Sequence, residues 1–316
     1  MYRGWLAVFL LILAATAVAC GNHYYQAKLD TTPQVDGFIA AGEGASVDRL
    51  VYLLTGWALS NAGHQMAGED RDRRIPIPLP AYLIEHRGQY VLVDTGMAPS
   101  LATEPSRYLS KTMACLAEDR LRELTLLPEW SVPARLKEMG GDPAKVQTVI
   151  LTHAHFDHTG ANRAFLHAEF LLTREIVEAG RHGGIFNGYW DKDFPAEMKI
   201  QPVDFSGTQP FLTFTGSYDL FGDGAVILVP LPGHDPGNQG VFVRTKKGPV
   251  LLVGDAAYTM RNILELHMPG WAYDDEAEWE TLHRLRRLVE VAPEIRIIPS
   301  HDPEVFRALP TAPESL

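Results

Sequence analysis

A short run of histidines and aspartate, directly after an apolar strand, constrains this chain more than any other feature. Residues 149–151 read Val-Ile-Leu, and the sequence continues as THAHFDHTG. Four side chains that can bind a metal therefore fall within six residues, namely His153, His155, Asp157 and His158. Imidazole and carboxylate groups suit zinc and related first-row metals. Since side chains alternate along an extended segment, the first two histidines project from one side, and the other two groups lie on the following turn. Such a cluster can serve two adjacent metals rather than one.

Three more potential ligands come directly after apolar runs that are typical of buried strands. They are His234, Asp255 and His301. On an α/β scaffold, the loops at strand ends are where ligand-bearing residues are expected. A lone histidine after a strand is more often structural, but the full set comprises five histidines and two aspartates, all at strand ends. The combination strongly indicates a metal site.

Strand signals recur along the chain, and several are the continuous apolar runs expected of strands covered on both faces. They cover residues 81–84, 90–93, 146–151, 225–229, 241–243, 250–253 and 295–298. Helical stretches lie between them. One begins near Ser131 and Pro133 and ends at Gly140, and another begins at Asp274. Mixed strands and helices predict a single α/β domain.

Composition narrows the class of partner. The chain has 28 Lys+Arg against 39 Asp+Glu, a formal charge of −11. An acidic surface repels phosphate backbones, so we expect no nucleic-acid partner. Two cysteines, Cys20 and Cys115, cannot form a disulfide scaffold or a four-cysteine zinc site, and we expect Cys115 to be a small buried residue.

The first residues read as an export signal. Arg3 precedes an apolar run over residues 5–19, which is shorter than the roughly 20 residues that span a bilayer. Residues 17–19, Ala-Val-Ala, fit an ordinary cleavage site, but the cysteine that follows makes the segment resemble a bacterial lipobox. We favour the lipoprotein, with a lipid anchor at Cys20 and a periplasmic or cell-envelope location. The predicted organisation is an export signal over 1–19, a tether and first strand over 20–45, the main α/β domain over 46–305 and a C-terminal tail over 306–316.

The order HxHxDH, a lone histidine, a Gly-Asp pair and a final histidine resembles the metallo-β-lactamase superfamily of hydrolases, over roughly residues 45–305. The resemblance implies a four-layer αβ/βα sandwich with the metal site at the edge formed by strand-end loops. It also implies that one metal takes His153, His155 and His234, that the other takes Asp157, His158 and His301, and that Asp255 bridges both. Asp94, in a Val-Asp-Thr-Gly turn that matches the family, is expected to support a ligand rather than bind a metal.

Two divalent ions can hold a bridging water and lower its pKa, which provides hydroxide at neutral pH. The expected reaction is therefore metal-assisted hydrolysis, and the family resemblance implies a metal-dependent hydrolase acting on carboxylic ester bonds. Zinc is the default metal, although iron, manganese or cobalt would satisfy the same ligands.

Two further segments resemble the N-acyl homoserine lactonases, the quorum-quenching branch of the family. They are Asp-Ala-Ala-Tyr, from Asp255 to Tyr258, and Ser-His-Asp-Pro-Glu, around His301. The resemblance implies that the Tyr258 phenol contacts the lactone carbonyl and stabilises the oxyanion, and that Asp157 returns a proton to the leaving alkoxide. The predicted reaction is lactone ring opening by a metal-bridging hydroxide. The alternative is a secreted arylesterase or organophosphate triester hydrolase of the same superfamily.

Several questions stay open at the level of the sequence. The segments 98–130 and 181–215 either shape a pocket for an apolar group or form a small satellite core. A small-molecule lactone or ester is the expected partner, and a homodimer is compatible with the resemblance. Seven histidines without ligand spacing are predicted to be structural, namely His23, His64, His86, His167, His182, His267 and His283.

Overall fold

The computed structural model describes residues 33, 35, 37–310, 312 and 314–316, and Val35–Leu316 forms one compact unit. Its strands are β1 Arg49–Asn61, β2 Arg74–His86, β3 Gln89–Val93, β4 Leu124–Thr125, β5 Val146–Ile150, β6 Glu169–Thr173, β7 Lys199–Val203, β8 Tyr218–Asp219, β9 Val226–Pro230, β10 Gln239–Thr245, β11 Gly248–Leu252 and β12 Arg296–Ile298. Its α-helices are α1 Ala62–Gln65, α2 Ser100–Thr103, α3 Lys111–Leu116, α4 Glu118–Arg122, α5 Val132–Glu138, α6 Phe156–Thr159, α7 Arg174–His182, α8 Met260–Leu264, α9 Asp275–Val291 and α10 Pro303–Ala308.

The strands form two sheets. The first has seven strands in the order β4-β1-β2-β3-β5-β6-β7, and the second has five in the order β12-β11-β10-β9-β8. Antiparallel pairing joins β1, β2 and β3, whereas β3, β5, β6 and β7 run parallel to one another. In the second sheet β11 and β12 are parallel, and the remaining pairs are antiparallel.

The alternation of side chains along β1 shows how the layers are assembled. Leu50 and Tyr52 enter the core between the sheets, while Val51 and Leu53 enter the core on the outer face. That outer core is covered by helices such as α5 and α7, and α9 carries a further buried face that includes Leu285. Helices therefore lie outside two facing sheets, which confirms the predicted four-layer α/β sandwich.

Residues in the segments predicted as a tether and a C-terminal tail make contacts with the rest of the domain. Within the described part of the segment 20–45, Ile39 forms an isolated bridge with Leu212, and the first described strand begins later, at Arg49. In the segment predicted as a C-terminal tail, the side chains of Phe306 and Leu316 are buried in the core between the sheets. The N–H of Leu316 also donates to the carbonyl of Leu50 at 2.8 Å. These last residues therefore pack as part of the domain.

The prediction of a buried Cys115 is wrong, because this cysteine in α3 is exposed. The export signal and Cys20 lie outside the described residues. Among the residues that the structure describes, no helix is long and apolar enough to span a membrane.

Candidate metal centre

The predicted ligands meet where strands from both sheets end. His153, His155, Asp157 and His158 follow β5 of the first sheet, and α6 carries the last two of them. His234 follows β9, Asp255 follows β11 and His301 follows β12, all strands of the second sheet. The structure thus brings all seven residues to one edge of the sandwich.

The ligand atoms form two groups that share one residue. In the first group, the atoms offered by His153, His155, His234 and Asp255 lie within 4.8 Å of one another. In the second group, the same limit holds for Asp157, His158, Asp255 and His301. Because Asp255 belongs to both groups, its carboxylate has the position that a bridging ligand requires.

The spacing of these atoms fits ligands that surround a common ion. Asp255 Oδ2 lies 3.4 Å from His234 Nε2 and 3.4 Å from His301 Nε2. His301 Nε2 lies 3.5 Å from Asp157 Oδ2. Tetrahedral zinc with bonds of about 2.0–2.1 Å would separate its ligand atoms by about 3.3–3.4 Å. Distances of this size are long for hydrogen bonds but suit atoms that share a cation.

Unpaired polar atoms support the same fit. His153 Nε2 is buried and has no hydrogen-bond partner among the described residues, although Asp255 Oδ2 lies 3.6 Å away. His158 Nε2 is also buried, and it faces Asp255 Oδ1 at 3.1 Å without the alignment of a hydrogen bond. An unsatisfied buried polar atom costs roughly 1–3 kcal/mol. Both nitrogens are therefore suited to bind a cation.

The electrostatics favour neutral imidazoles in the first group. Burial lowers the pKa of His153, of His155 and of His234, so each ring keeps a lone pair for a metal. In the second group, burial disfavours the charged form of the two imidazoles, but attraction to the carboxylates of Asp255 and Asp157 outweighs it. These carboxylates raise the pKa of His158 well above its usual value and that of His301 to about 10.

The second group also holds a carboxylate that stays ionised. Burial alone would raise the pKa of Asp157, but His158 and His301 lower it to about 2. Carboxylates that attract positive charge this strongly also attract divalent cations. Together the two groups can hold two adjacent divalent metal ions.

Hydrogen bonds behind the ligands fix their orientation. His158 Nδ1 donates to Asp94 Oδ2 at 2.8 Å, which turns Nε2 toward the site. His301 Nδ1 likewise donates to the carbonyl of Pro78 at 2.9 Å. Asp94 does not belong to either ligand group, so it has the supporting role predicted for it.

Asp94 is itself held by the strand that leads to the ligands. Its Oδ1 accepts from the Thr152 N–H at 2.7 Å, and its Oδ2 accepts from Thr152 Oγ1 at 2.9 Å. The turn is tight, since Asp94 has φ 58° and Gly96 has φ 67°. A Cβ on Gly96 would come within 2.1 Å of Thr55 Oγ1, so only glycine fits there.

Tyr258 lies beside the ligands, as predicted, with 2% of its surface exposed. Its phenol oxygen is 3.5 Å from His234 Nδ1 and 3.2 Å from His64 Nε2. Burial, reinforced by Asp255, raises the pKa of Tyr258 well above its usual value. The phenol therefore keeps its hydrogen and can donate it.

His64 is the residue that the sequence analysis missed. It was predicted to be structural, but its ring stacks on that of Tyr258 with centroids 5.3 Å apart, and its side chain lines a cavity. Desolvation by the surrounding protein lowers the pKa of His64, so the ring is neutral. No spacing in the sequence signals this role, because β1 and α1 precede all the recognised motifs.

A cavity of about 560 Å³ opens over the ligands. One end is polar and includes Asp157, Asp255, Tyr258 and His301, and the rest is lined mainly by apolar side chains. The apolar lining includes Ile77, Leu79, Met97, Leu101, Leu109, Leu121, Leu124, Ile185, Trp190 and Trp271.

The two alternatives for the segments 98–130 and 181–215 both hold. Leu101, Leu109 and Trp190 line the cavity and also belong to one small apolar cluster. Of the aromatic residues in the second segment, Phe186 lines the cavity and is 87% exposed, whereas Phe194 packs in the outer core. The satellite core is therefore also the wall of the pocket.

Two of the other histidines form hydrogen bonds outside the ligand groups. His86 Nε2 pairs with Asp223 Oδ2 at 2.9 Å, far from the ligands. His267 Nε2 donates to the carbonyl of Ala67 at 2.6 Å. The nearby Trp271 contacts the ligands instead, with its ring 5.2 Å from that of His155 and 5.3 Å from that of His234.

Comparison with known proteins identifies the family to which this site belongs. Residues 76–301 match the model of a family described as the metallo-beta-lactamase superfamily. The N-acyl homoserine lactonase AttM of Azorhizobium caulinodans is 31% identical over 277 residues, which cover 84% of this chain and 98% of that protein. AttM of Rhizobium radiobacter is 30% identical over 285 residues, with the same coverage of 84% and 98%.

A solved structure gives the corresponding likeness in three dimensions. It is an N-acyl homoserine lactone hydrolase with the product N-hexanoyl-L-homoserine bound at the catalytic metal centre. The TM-score is 0.71 at 25% identity, and the match covers 86% of this chain and 100% of the other.

Proposed function

The chain belongs to the metallo-beta-lactamase superfamily and is a metal-dependent hydrolase, and we propose that it opens the lactone ring of N-acyl homoserine lactones. One observation carries the proposal. The two ligand groups and the Tyr258 phenol meet at the polar end of a single cavity whose remaining wall is apolar. A polar lactone head joined to an apolar acyl chain has the same division.

The acyl chain would lie along the wall that includes Leu101, Leu109 and Leu121, with the lactone ring at the ligand end. Burial of apolar surface provides about 25 cal/mol per Å² and has no preferred direction. The wall can therefore hold an alkyl chain while the polar groups set the position of the ring. Trp271, which contacts His155 and His234, closes the cavity beside the ring position.

Different residues carry out different parts of the proposed hydrolysis. When bound, two divalent cations supply the activation of water and of the ester carbonyl that hydrolysis at neutral pH requires. The Tyr258 phenol donates to the carbonyl oxygen as negative charge develops there. The Asp157 carboxylate accepts a proton from the attacking water and gives it to the oxygen of the leaving alkoxide.

Two measurements on one preparation test the proposal. The chain without residues 1–20 is purified, its metal content per protomer is measured, and kcat/KM is determined for N-decanoyl homoserine lactone, an aryl ester and an organophosphate triester. We expect close to two metals per protomer and the highest kcat/KM for the lactone. Preference for the ester or the triester would keep the hydrolase and overturn the substrate. Two bound metals with no turnover of any of the three would overturn both.

We further propose that the resident metal is zinc. Five imidazoles and two carboxylates suit zinc, and ligand atoms 3.4–3.5 Å apart are close to the separation expected around a tetrahedral zinc ion. Elemental analysis of protein expressed without added metal is the test. Iron, manganese or cobalt in place of zinc at the same stoichiometry would overturn this assignment while leaving the ligand set intact.

We also propose that the chain is exported and carries a lipid at Cys20, in the periplasm or cell envelope. Arg3, the apolar run over residues 5–19 and the cysteine after Ala-Val-Ala support this. Labelled palmitate should enter the wild-type chain expressed in a bacterial host but not Cys20→Ser. Equal labelling of both would place the lipid elsewhere, and labelling of neither would favour ordinary cleavage.

A homodimer is the oligomeric state that we propose on the strength of the family likeness alone. Light scattering of the purified full-length chain tests it, and a mass near 35.0 kDa per particle would indicate a monomer.

A further inference from the structure

His64 is held firmly at a place that the proposed reaction does not yet use. It lies in the single turn α1, where the Asn61 side chain accepts from the His64 N–H at 2.7 Å. On the other side, the Gly270 N–H donates to the His64 carbonyl at 2.9 Å. A Cβ on Gly270 would come within 1.8 Å of the Gly63 carbonyl oxygen, so the two segments meet backbone to backbone. The histidine is thus fixed to the segment that follows Tyr258.

The side chain of His64 points at the Tyr258 phenol. Nε2 lies 3.2 Å from the phenol oxygen, and the two rings are nearly parallel at 23°. Both residues line the cavity, Tyr258 as a deeply buried residue and His64 as an exposed one. This hydrogen bond joins residues that are 194 positions apart in the chain.

The other neighbour of the phenol oxygen limits where its hydrogen can point. His234 directs Nε2 at the ligand group, 3.0 Å from His155 Nδ1 and 3.4 Å from Asp255 Oδ2. A neutral imidazole that offers Nε2 as a ligand carries its hydrogen on Nδ1. His234 Nδ1 therefore faces the phenol oxygen as a donor, at 3.5 Å. The phenol hydrogen must then go either to His64 or into the cavity.

We propose that His64 is a positioning residue for Tyr258. With substrate bound, His64 Nε2–H donates to the phenol oxygen, so the phenol hydrogen is directed at the carbonyl oxygen of the substrate. The phenol oxygen has lone pairs for both histidine donors and a single hydrogen left to give. The inference rests on the proposed ester hydrolysis for its substrate, whereas the contact between His64 and Tyr258 is independent of which ester is hydrolysed.

Three substitutions of His64 separate hydrogen bonding from packing. His64→Gln places an amide N–H close to the position of Nε2, His64→Asn stops one bond short, and His64→Leu has no donor. We expect kcat to fall about tenfold in the Leu and Asn variants and by at most about threefold in the Gln variant, with KM within about twofold throughout. His167→Leu, on an exposed histidine remote from the cavity, is the matched control and should match the wild type.

A double-mutant cycle shows whether His64 acts through the phenol. In a Tyr258→Phe background, His64→Leu should change kcat by less than about twofold, because the group to be positioned is already gone. A tenfold loss in both backgrounds would overturn the proposal, as would a loss confined to KM or equal losses in the Gln and Leu variants.

A spectroscopic measurement tests the contact without any turnover. The full chain is labelled with ¹³Cζ-tyrosine, and the Tyr258 resonance is identified by its loss in Tyr258→Phe. We expect His64→Leu to shift this resonance, with a smaller shift in His64→Gln and none in His167→Leu. An unshifted resonance in His64→Leu would overturn the proposal. Wild-type protein that fails to hydrolyse lactones would instead overturn the proposed substrate, and the spectrum would still decide the role of His64.

Discussion

The two ends of the cavity are built by different means. At the polar end, directed hydrogen bonds hold the ligands, such as those from His158 Nδ1 to Asp94 and from His301 Nδ1 to Pro78, at 2.8 and 2.9 Å. At the apolar end, side chains such as Leu101 on α2 and Leu109 in the loop before α3 pack in a small cluster.

This contrast between directed hydrogen bonds and apolar packing shows which properties of the protein can change independently. A hydrogen bond fixes both distance and direction, so a substitution at the polar end should disturb the chemistry itself. Apolar packing fixes volume and little else, so a substitution in the wall should alter which substrates are accepted. Substitutions at the polar end, in the wall and between them test this division, and removal of a ligand is expected to have the greatest effect.

Removal of the shared ligand should abolish the chemistry. Asp255→Ala takes one carboxylate from both ligand groups, so we expect loss of bound metal and a fall in kcat/KM of about a thousandfold or more. Elemental analysis and lactone hydrolysis provide the two readouts. Asp119→Ala, whose side chain is 98% exposed, is the control. Two metals and full activity in Asp255→Ala would contradict a dinuclear site.

Loss of a support behind a ligand should have a smaller effect. In Asp94→Asn the amide N–H₂ that replaces Oδ2 cannot accept from His158 Nδ1, so that ring loses its fixed orientation. We expect metal affinity or activity to fall by about 10- to 100-fold. Titration with a chelator and measurement of kcat test this.

The control for Asp94 is an aspartate with a similar local bond but no link to the ligands. Asp142→Asn fits, since its exposed carboxylate accepts from the Ala144 N–H at 3.0 Å. If the two variants resist the chelator equally, Asp94 does not support the metal centre.

A substitution in the apolar wall should discriminate between substrates. Leu121→Ser removes apolar contact along the cavity, so we expect kcat/KM for N-decanoyl homoserine lactone to fall about tenfold, and that for the N-butanoyl lactone to change little. Leu264→Ser, on a 45% exposed leucine outside the cavity lining, is the control. Equal losses for the two lactones would show that the wall also controls the chemistry.

The smallest effect is expected for the buried carboxyl group of Asp193. The Asp193 carboxylate accepts from Thr159 Oγ1 at 3.0 Å, next to the ligand turn, and burial raises its pKa from 3.8 to about 7. The folded protein therefore binds a proton that the unfolded chain releases. This contribution is complete below about pH 4 and is lost as the pH rises through about 7.

Thermal unfolding of wild type and Asp193→Asn between pH 5 and pH 8 provides the measurement. We expect the Tm of the wild type to fall relative to that of the variant by about 2–4 °C over this range. Asp191→Asn, at an exposed position in the same turn, should run parallel to the wild type. A constant difference between wild type and Asp193→Asn would show that the carboxyl group does not titrate there.

The ligand set was accessible to sequence reasoning because each ligand follows an apolar run. An apolar run of four or five residues indicates a buried strand, and parallel strands bring their carboxyl ends to one edge. His234, Asp255 and His301 could therefore be recognised as strand-end residues, and the family resemblance joined them to the cluster that follows β5. The structure brings all of them together.

The wall and the ends of the chain were less accessible. Leu101 and Leu121 lie on helices too short to give a clear period, and Leu109 lies in the loop before α3. Their role depends on packing against distant groups such as Trp190. Phe306 and Leu316 follow the last ligand with no strand signal, yet they are buried between the sheets. Cys115 is apolar by type but exposed by position, since α3 lies at the surface.

The α/β class and the seven candidate ligands could be read from the sequence, because apolar runs and the spacing of imidazole and carboxylate groups are local features, and the family resemblance assigned these ligands to two ions. Only the tertiary structure decided which neighbour the Tyr258 phenol would have and where the cavity would lie. His64 and Tyr258 come together because α1, after β1, meets the segment that follows β11. Contacts between residues 194 positions apart depend on how the two sheets stack, and no local pattern records that arrangement.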